Sequence, residues 1–177
     1  MKRFIPNYYA KNIFSLDVDF FKKNNIEYIL CDLDNTLDAF DSLIPNQETI
    51  DYVNKIKDNG IEFFILSNNR EKRVSPFANG LGVGYIYQTC KPFGIKIKKF
   101  LKSKGLDKSK GIMIGDQILT DVLAAKSVGI RVCLVDQLVK RDQWCTFFNR
   151  IIDNKLRNKM IRKGHITRIG GWVYVKC

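Results

Sequence analysis

Two aspartates, Asp32 and Asp34, close an apolar run in the stretch Asp32-Leu33-Asp34-Asn35-Thr36-Leu37. Extended backbone points alternate side chains to one side, so both carboxylates face together while Leu33 faces away. One carboxylate so placed can attack phosphorus. A second beside it can protonate the leaving oxygen and later take the proton of an attacking water. Adjacent negative charges also repel, and the cation suited to carboxylate and phosphate oxygens is Mg²⁺. Taken alone, the same residues equally suit an Asx turn leading into a loop.

Three more apolar runs end in polar residues. Ser67-Asn68-Asn69 follows residues 63–66 and offers a hydroxyl, an amide and backbone N–H groups to phosphate oxygens. Lys91-Pro92 follows residues 85–87, where a fixed ammonium offsets charge on a nucleophile and a phosphoryl group. Gly115-Asp116-Gln117-Ile118-Leu119-Thr120-Asp121 follows residues 112–114, placing one acid at a strand end and another in the first helical turn. Each taken singly reads as a turn, a surface lysine or a helix-start charge.

The elements that must carry these residues follow an α/β rhythm. Strand-like runs at 28–33, 61–66, 85–87, 112–114 and 131–135 are separated by helical stretches, and those at 61–66 and 112–114 are apolar without alternation. Such strands are parallel and covered on both faces, which predicts a three-layer sandwich around a central parallel sheet. Asn46 is placed to cap a helix bearing Ile50, Val53 and Ile56 that stops near Gly60; others are predicted over 95–105 and 118–129. Right-handed crossovers bring the carboxyl ends of the strands to one edge, where ligands of such sheets bind.

The length of 177 residues, 45% of them hydrophobic, suits one domain spanning 1–177. Thirty Lys and Arg against 18 Asp and Glu give +12, a surface that attracts phosphates, nucleic acid or acidic lipid headgroups. Residues 91–110 hold eight Lys and one Asp, and residues 136–177 hold ten basic and three acidic residues. In the segment at about 140–177, Trp144, Phe147, Phe148, Ile151, Ile152, Leu156 and Met160 recur at helical spacing among Arg150, Lys155, Arg157 and Lys159: a basic amphipathic helix. No apolar run is long enough to span a membrane, and Pro6 and Asn7 interrupt the start before a signal-peptide core forms. Five cysteines without a C-x-x-C pair fit a reducing compartment, so the expected location is cytoplasmic, with the inner membrane face as a peripheral site.

Together, and in this order, the four strand ends resemble the haloacid dehalogenase (HAD) superfamily of phosphohydrolases over roughly residues 27–135. The SNN, KP and GDQxxTD variants look like the YqeG family of class III HAD phosphatases, as does the N-terminal FIPNYY. The resemblance implies an HAD-like Rossmannoid fold and Mg²⁺ held by Asp32, Asp116 and the backbone carbonyl of Asp34. It implies that Asp32 is the nucleophile, Asp34 the general acid and base, and Lys91 the charge-offsetting cation. Ser67 and Asn68 would bind the phosphoryl oxygens, Thr36 would brace the loop, and Asp121 would orient Lys91 or a metal-bound water. Asp38 departs from the apolar residue common after Leu37.

Only 29 residues separate Leu37 from Ser67 and 21 separate Asn69 from Lys91, so no cap domain fits and the site should be open. An open site favours a large or surface-bound substrate. The resemblance extends to organellar phosphatidylglycerophosphate phosphatases, which makes that membrane lipid the leading substrate, with the basic amphipathic segment as its physical support. A soluble or nucleic-acid phosphate is the alternative substrate; a non-catalytic nucleic-acid or ribosome-binding protein is the alternative of another class. The plain reading of the amphipathic helix is that it packs on its own sheet. Gly80-Leu81-Gly82-Val83-Gly84 precedes a strand and reads as a loop, His165 as a surface residue, and Trp172 to Val175 as a late edge strand.

Overall fold

The computed structural model describes residues 2–139, 147–165 and 173–174. Its sheet is built from β1 (Tyr8–Ala10), β2 (Tyr28–Asp32), β3 (Glu62–Leu66), β4 (Gly84–Ile86), β5 (Gly111–Gly115), β6 (Arg131–Val135) and β7 (Val173–Tyr174), in the order β4-β3-β2-β5-β6-β1-β7. The first six run parallel, and β7 closes the β1 edge antiparallel, pairing Tyr8 with Tyr174. The five strands expected from the apolar runs therefore form within a residue or two of their predicted bounds. The short β1 was not anticipated, and the edge strand expected at Trp172 to Val175 is seen at its described pair, Val173 and Tyr174.

Alternation along each strand feeds two cores. Ile29 and Cys31 of β2 join a cluster with Val53, Ile56, Val74 and Phe77; Tyr28 and Leu30 join another with Ile97, Leu101, Val122 and Ala125. The first cluster is covered by α1 (Val18–Lys23), α2 (Gln47–Asp58) and α3 (Glu71–Leu81), the second by α4 (Ile95–Lys104) and α5 (Leu123–Val128). Each fully buried Leu, Ile or Phe side chain contributes about 1.5–3 kcal/mol, so the two clusters hold the three layers together from both sides.

Asn46 caps α2 by accepting from Thr49 N at 2.9 Å, as its position predicts. Helices α4 and α5 end at Gly105 and Gly129 in left-handed backbone. The stretch expected to be one helix over 118–129 opens with a wide π turn over Ile118–Val122 before α5. Among the described residues no cap intervenes: β2 reaches α2 through residues 33–46 and β3 reaches α3 through residues 67–70.

The last helix, α6 (Phe147–Arg162), falls within the predicted amphipathic segment; Trp144 lies outside the described residues, as do the side chains of Phe147 and Phe148. Its inward face differs from the expected apolar stripe. Met160 and Leu156 do pack on the second core, but Arg150 and Asp153 are also buried while Ile151 and Ile152 are exposed. The reason lies under the helix, where polar backbone at the tips of β5 and β6 needs partners.

Candidate active site

Asp32 continues the side-chain parity of Tyr28 and Leu30 and so emerges at the tip of β2 beside the second core. There its Oδ1 accepts a direct hydrogen bond from Lys91 Nζ, which also donates to Asp121 Oδ1 at 2.8 Å. Three residues from the tips of β2, β4 and β5 thus meet in one buried group. Burial works against the Lys91 charge, but Asp121 and Asp32 more than offset it and hold the lysine above its usual pKa. Burial pushes the Asp32 carboxyl well above the usual range, an effect that Lys91 opposes and Asp121 and Asp116 reinforce.

Asp34 lies past the strand end and is held from three sides. Its Oδ2 accepts from Asn69 Nδ2 at 2.8 Å and from Ser67 Oγ at 3.5 Å; its Oδ1 accepts from Arg73 Nη2 at 2.9 Å. Asn35 takes a left-handed backbone with φ of 65°, a conformation Asn tolerates better than most residues, and this turns the chain back. Asp38, the unusual residue of the motif, is buried and accepts from Ala39 N, Ser42 Oγ and Asn46 Nδ2 at 2.7, 2.9 and 3.1 Å. It ties residues 38–46 into a closed loop, and its charge is used inside that loop.

Asp116 and Asp121 follow β5. A Cβ built on Gly115 would sit 2.3 Å from Asp121 Cγ, so glycine before Asp116 is what lets Asp121 fold back over the strand end and accept from Gln117 N at 3.1 Å. Thr36 Oγ1 lies 3.3 Å from Asp116 Oδ1. From α6, Arg150 Nη2 donates to Asp116 Oδ2 at 2.7 Å and Arg157 Nη2 to the Asp116 carbonyl at 2.5 Å. Asp153 accepts from the N–H groups of Ile118 and Leu119 at 2.7 and 3.1 Å, satisfying donors that the start of the π turn leaves orphaned. Burial raises the Asp116 carboxyl against the opposing charge of Arg150.

Carboxylate oxygens of Asp32, Asp116 and Asp121 all lie within 4.8 Å of one another. This is an all-oxygen, buried donor set, the kind a hard divalent cation takes. Lys91 and Arg150 pair directly with these carboxylates and Arg157 stands on the Asp116 carbonyl, yet Asp32 and Asp116 are still pushed toward protonation by burial and by the neighbouring acids. A divalent ion among them would relieve that crowding of buried carboxylates, so the residues fit a metal.

All eight residues singled out in the sequence lie at the carboxyl edge of the sheet, though not all face the same point. Asp32, Asp116, Asp121 and Lys91 form the buried group, with Thr36 against Asp116 and Ser67 against Asp34. Asn68 turns elsewhere: its Oδ1 accepts from Thr89 Oγ1 at 2.7 Å and Lys91 N at 2.8 Å, so it braces the Lys91 loop, and Asn69 faces Asp34 in its place. Sequence reasoning missed Asn69, Arg73, Arg150, Asp153 and Arg157. For Arg73 a signal existed, the helical spacing of Val74, Phe77, Ala78 and Leu81. Cys31 is buried behind the strand and burial holds its thiol well above the usual pKa, so it is no reactive neighbour of Asp32.

Residues 7–135 match the family model described as haloacid dehalogenase-like hydrolase. A protein of Bacillus subtilis (strain 168), called probable phosphatase YqeG, is 36% identical over 165 residues, covering 93% of this chain and 96% of that protein. Among solved structures, a hypothetical protein of Xanthomonas campestris aligns with TM-score 0.55 at 15% identity, covering 86% of this chain and 97% of the other. The 3-deoxy-D-manno-octulosonate 8-phosphate phosphatase of Yersinia pestis aligns with TM-score 0.51 at 21% identity, covering 68% and 70%. These last two likenesses concern the fold alone.

Proposed function

Because the chain belongs to the haloacid dehalogenase-like hydrolase family, we propose that it is a Mg²⁺-dependent phosphatase, one domain over residues 1–177, that cleaves phosphomonoesters through an aspartyl-phosphate on Asp32. The observation that carries this reading is the contact of Asp32 with Lys91 inside a buried group of three carboxylates at an edge of the sheet without a cap. The relative called probable phosphatase YqeG supports the activity class.

In the proposed sequence Asp32 Oδ attacks phosphorus and the bond to the ester oxygen breaks; Asp34 gives its proton to that oxygen, which leaves as an alcohol. Asp34, now a carboxylate, takes a proton from water. The resulting hydroxide attacks phosphorus, the bond to Asp32 breaks, and phosphate departs with the original carboxylate restored. Lys91 opposes the effect of burial on Asp32, favouring its ionised, attacking form, and offsets charge on the transferring group. Ser67, whose Oγ lies 3.5 Å from Asp34 Oδ2, would hold a phosphoryl oxygen, and Asn68 would act through the Lys91 loop that it braces. Asp32, Asp116 and the Asp34 carbonyl would hold Mg²⁺, with Asp121 beside them. When bound, the ion supplies neutralisation of the phosphoryl oxygens.

For the substrate we infer a lipid phosphate, phosphatidylglycerophosphate, on two grounds: the open edge, and the family likeness to phosphatases of that lipid. No helix among the described residues is long and apolar enough to cross a membrane. The test is hydrolysis of an aryl phosphate with Mg²⁺ and with EDTA, followed by a panel of phosphatidylglycerophosphate, sugar phosphates and 3′- or 5′-phosphorylated oligonucleotides. Mg²⁺-dependent turnover with the lipid preferred is expected. Preference for an oligonucleotide or sugar phosphate would move the assignment to a soluble substrate, and no turnover of any ester would end it.

A further inference from the structure

Arg73 pairs with Asp34, the general acid of the proposed reaction. It stands in the first turn of α3, one helical turn before Phe77, and its guanidinium lies 5.7 Å from the centre of that ring. Nη2 donates to Asp34 Oδ1 at 2.9 Å, while Asn69 and Ser67 donate to Oδ2. Depth separates this pair from the buried group. The side chains of Arg73 and Asp34 are 15% and 18% exposed, against 3% and 1% for Lys91 and Asp121. Arg73 therefore belongs to the mouth of the site and Lys91 to its floor.

The guanidinium is under-used where it stands. Its Nε and Nη1 are screened from solvent and have no hydrogen-bond partner among the described residues. Donors closed off from water without an acceptor cost more than a made bond gains, so a native arrangement of this kind calls for a reason. Holding Asp34 does not supply it, because Asn69 already donates to the other carboxylate oxygen at 2.8 Å. A second anion does: the planar fork of Arg matches phosphate and carboxylate oxygens two at a time. Held by one of its nitrogens, the fork can turn about its own bonds to meet an acceptor brought in at the mouth.

We propose that Arg73 binds the leaving group, and that the site is built for phosphomonoesters whose alcohol carries a second anionic phosphate a few bonds from the ester oxygen. Distance decides which end of the substrate it meets. A general acid stands about 2.6–3.2 Å from the oxygen it protonates, so the leaving oxygen comes within roughly 6–8 Å of Arg73 Nη2, depending on which Asp34 oxygen carries the proton. The transferring phosphoryl group lies beyond that oxygen, toward Asp32 and Lys91, and the alcohol is left to Arg73. Three carbons between two phosphates cover such a distance. The turn into α3 adds Arg70 and Lys72, both exposed, against one acid, Glu71, which accepts from the Tyr85 hydroxyl at 3.1 Å; that balance favours an anionic alcohol. The proposal rests on the reading of Asp34 as the acid and adds which alcohols it serves. A lipid headgroup phosphodiester and a free bisphosphate share the chemistry.

The test uses matched pairs of substrates. Glycerol 1,3-bisphosphate and glycerol 3-phosphate differ only in the second phosphate; phosphatidylglycerophosphate and hexadecyl phosphate, both in detergent micelles, repeat the comparison on lipid. Wild type is expected to favour the doubly anionic member of at least one pair by about tenfold or more in kcat/KM, and the pair that shows it names the source of the anion. Arg73→Gln, which keeps a donor for Asp34 and removes the charge, should bring the two members within about threefold of each other, with the change carried by KM. Arg73→Lys, which keeps the charge without the fork, should retain part of the preference. Wild-type kcat/KM equal within both pairs overturns the proposal whether or not the variants fold. Equal losses by Arg73→Gln on both members of a pair also overturn it and leave Arg73 as a positioning residue for Asp34. Failure of the phosphatase reading is seen separately, as no turnover even of an aryl phosphate.

Discussion

The guanidinium of Arg150 and the carboxylate of Asp116 form a buried ion pair, Nη2 to Oδ2 at 2.7 Å, that joins the last helix to the centre of the catalytic group. Removing the charge has two opposed effects on metal binding. Loss of orientation of a ligand costs about ten- to a hundredfold in affinity, or about 1.4–2.7 kcal/mol. Relief of repulsion between a buried cation and a divalent ion is worth several kcal/mol even at an effective dielectric of about 20.

The second effect is the larger. Arg150→Gln is therefore expected to lower the melting temperature of metal-free protein, through the unpaired carboxylate, and to bind Mg²⁺ at least about tenfold more tightly. Calorimetric titration with Mg²⁺ and the Mg²⁺-induced shift in melting temperature check this; weaker binding would mean that Arg150 acts by orienting Asp116.

Asp32→Asn removes the attacking oxygen while leaving a side chain of the same shape in the core of the site. Turnover of an aryl phosphate should fall below about one thousandth of wild type, with the melting temperature of the metal-free protein kept or raised because a buried charge is gone. Residual turnover above that level would contradict covalent catalysis by Asp32.

Asp34→Asn should slow esters in proportion to how badly the leaving oxygen needs a proton. Alkyl phosphates should lose far more than aryl phosphates, whose leaving groups depart as anions. Equal losses on both, measured as kcat/KM, would remove Asp34 from the acid role.

Asp153 gives the protein a pH dependence that is independent of turnover. Burial raises its carboxyl to about 6, against the two N–H donors of the π turn, while the unfolded chain holds it near about 3.9. Between these values the folded state binds more protons than the unfolded one, so Asp153 stabilises most below about pH 4 and its contribution is lost as pH rises through about 6. The effect is on the order of 2–3 kcal/mol. Wild type should lose melting temperature relative to Asp153→Asn between pH 4 and about 7 in EDTA; a difference that is flat or moves the other way would contradict it.

What the sequence disclosed and what it hid follow from the range of the interactions. Strands β2, β3, β4 and β5 are apolar runs followed by polar residues, so strand ends and the residues beyond them could be read locally, and Asp32, Ser67, Lys91 and Asp116 with them. Helix α3 carries a regular apolar face, but Pro76 sits inside it and Arg73 at its start was overlooked. The contacts from α6 join residues 34 to 41 positions apart, Arg150 and Arg157 to Asp116 and Asp153 to Leu119. No local pattern encodes such pairs. Ile151 and Ile152 fit an inward stripe on spacing alone, yet the unsatisfied backbone at Ile118 and Leu119 recruits Asp153 instead, and the helix rotates accordingly.

The covalent intermediate is the claim on which the functional account stands. Enzyme quenched in acid during turnover of a lipid or aryl phosphate, treated with borohydride and mapped by peptide mass spectrometry converts an acyl phosphate into the corresponding alcohol. The account predicts homoserine at position 32 in turning-over wild type and none in enzyme without substrate. Unaltered Asp32 in enzyme trapped during a single turnover, or homoserine at position 34 or 116, would contradict it.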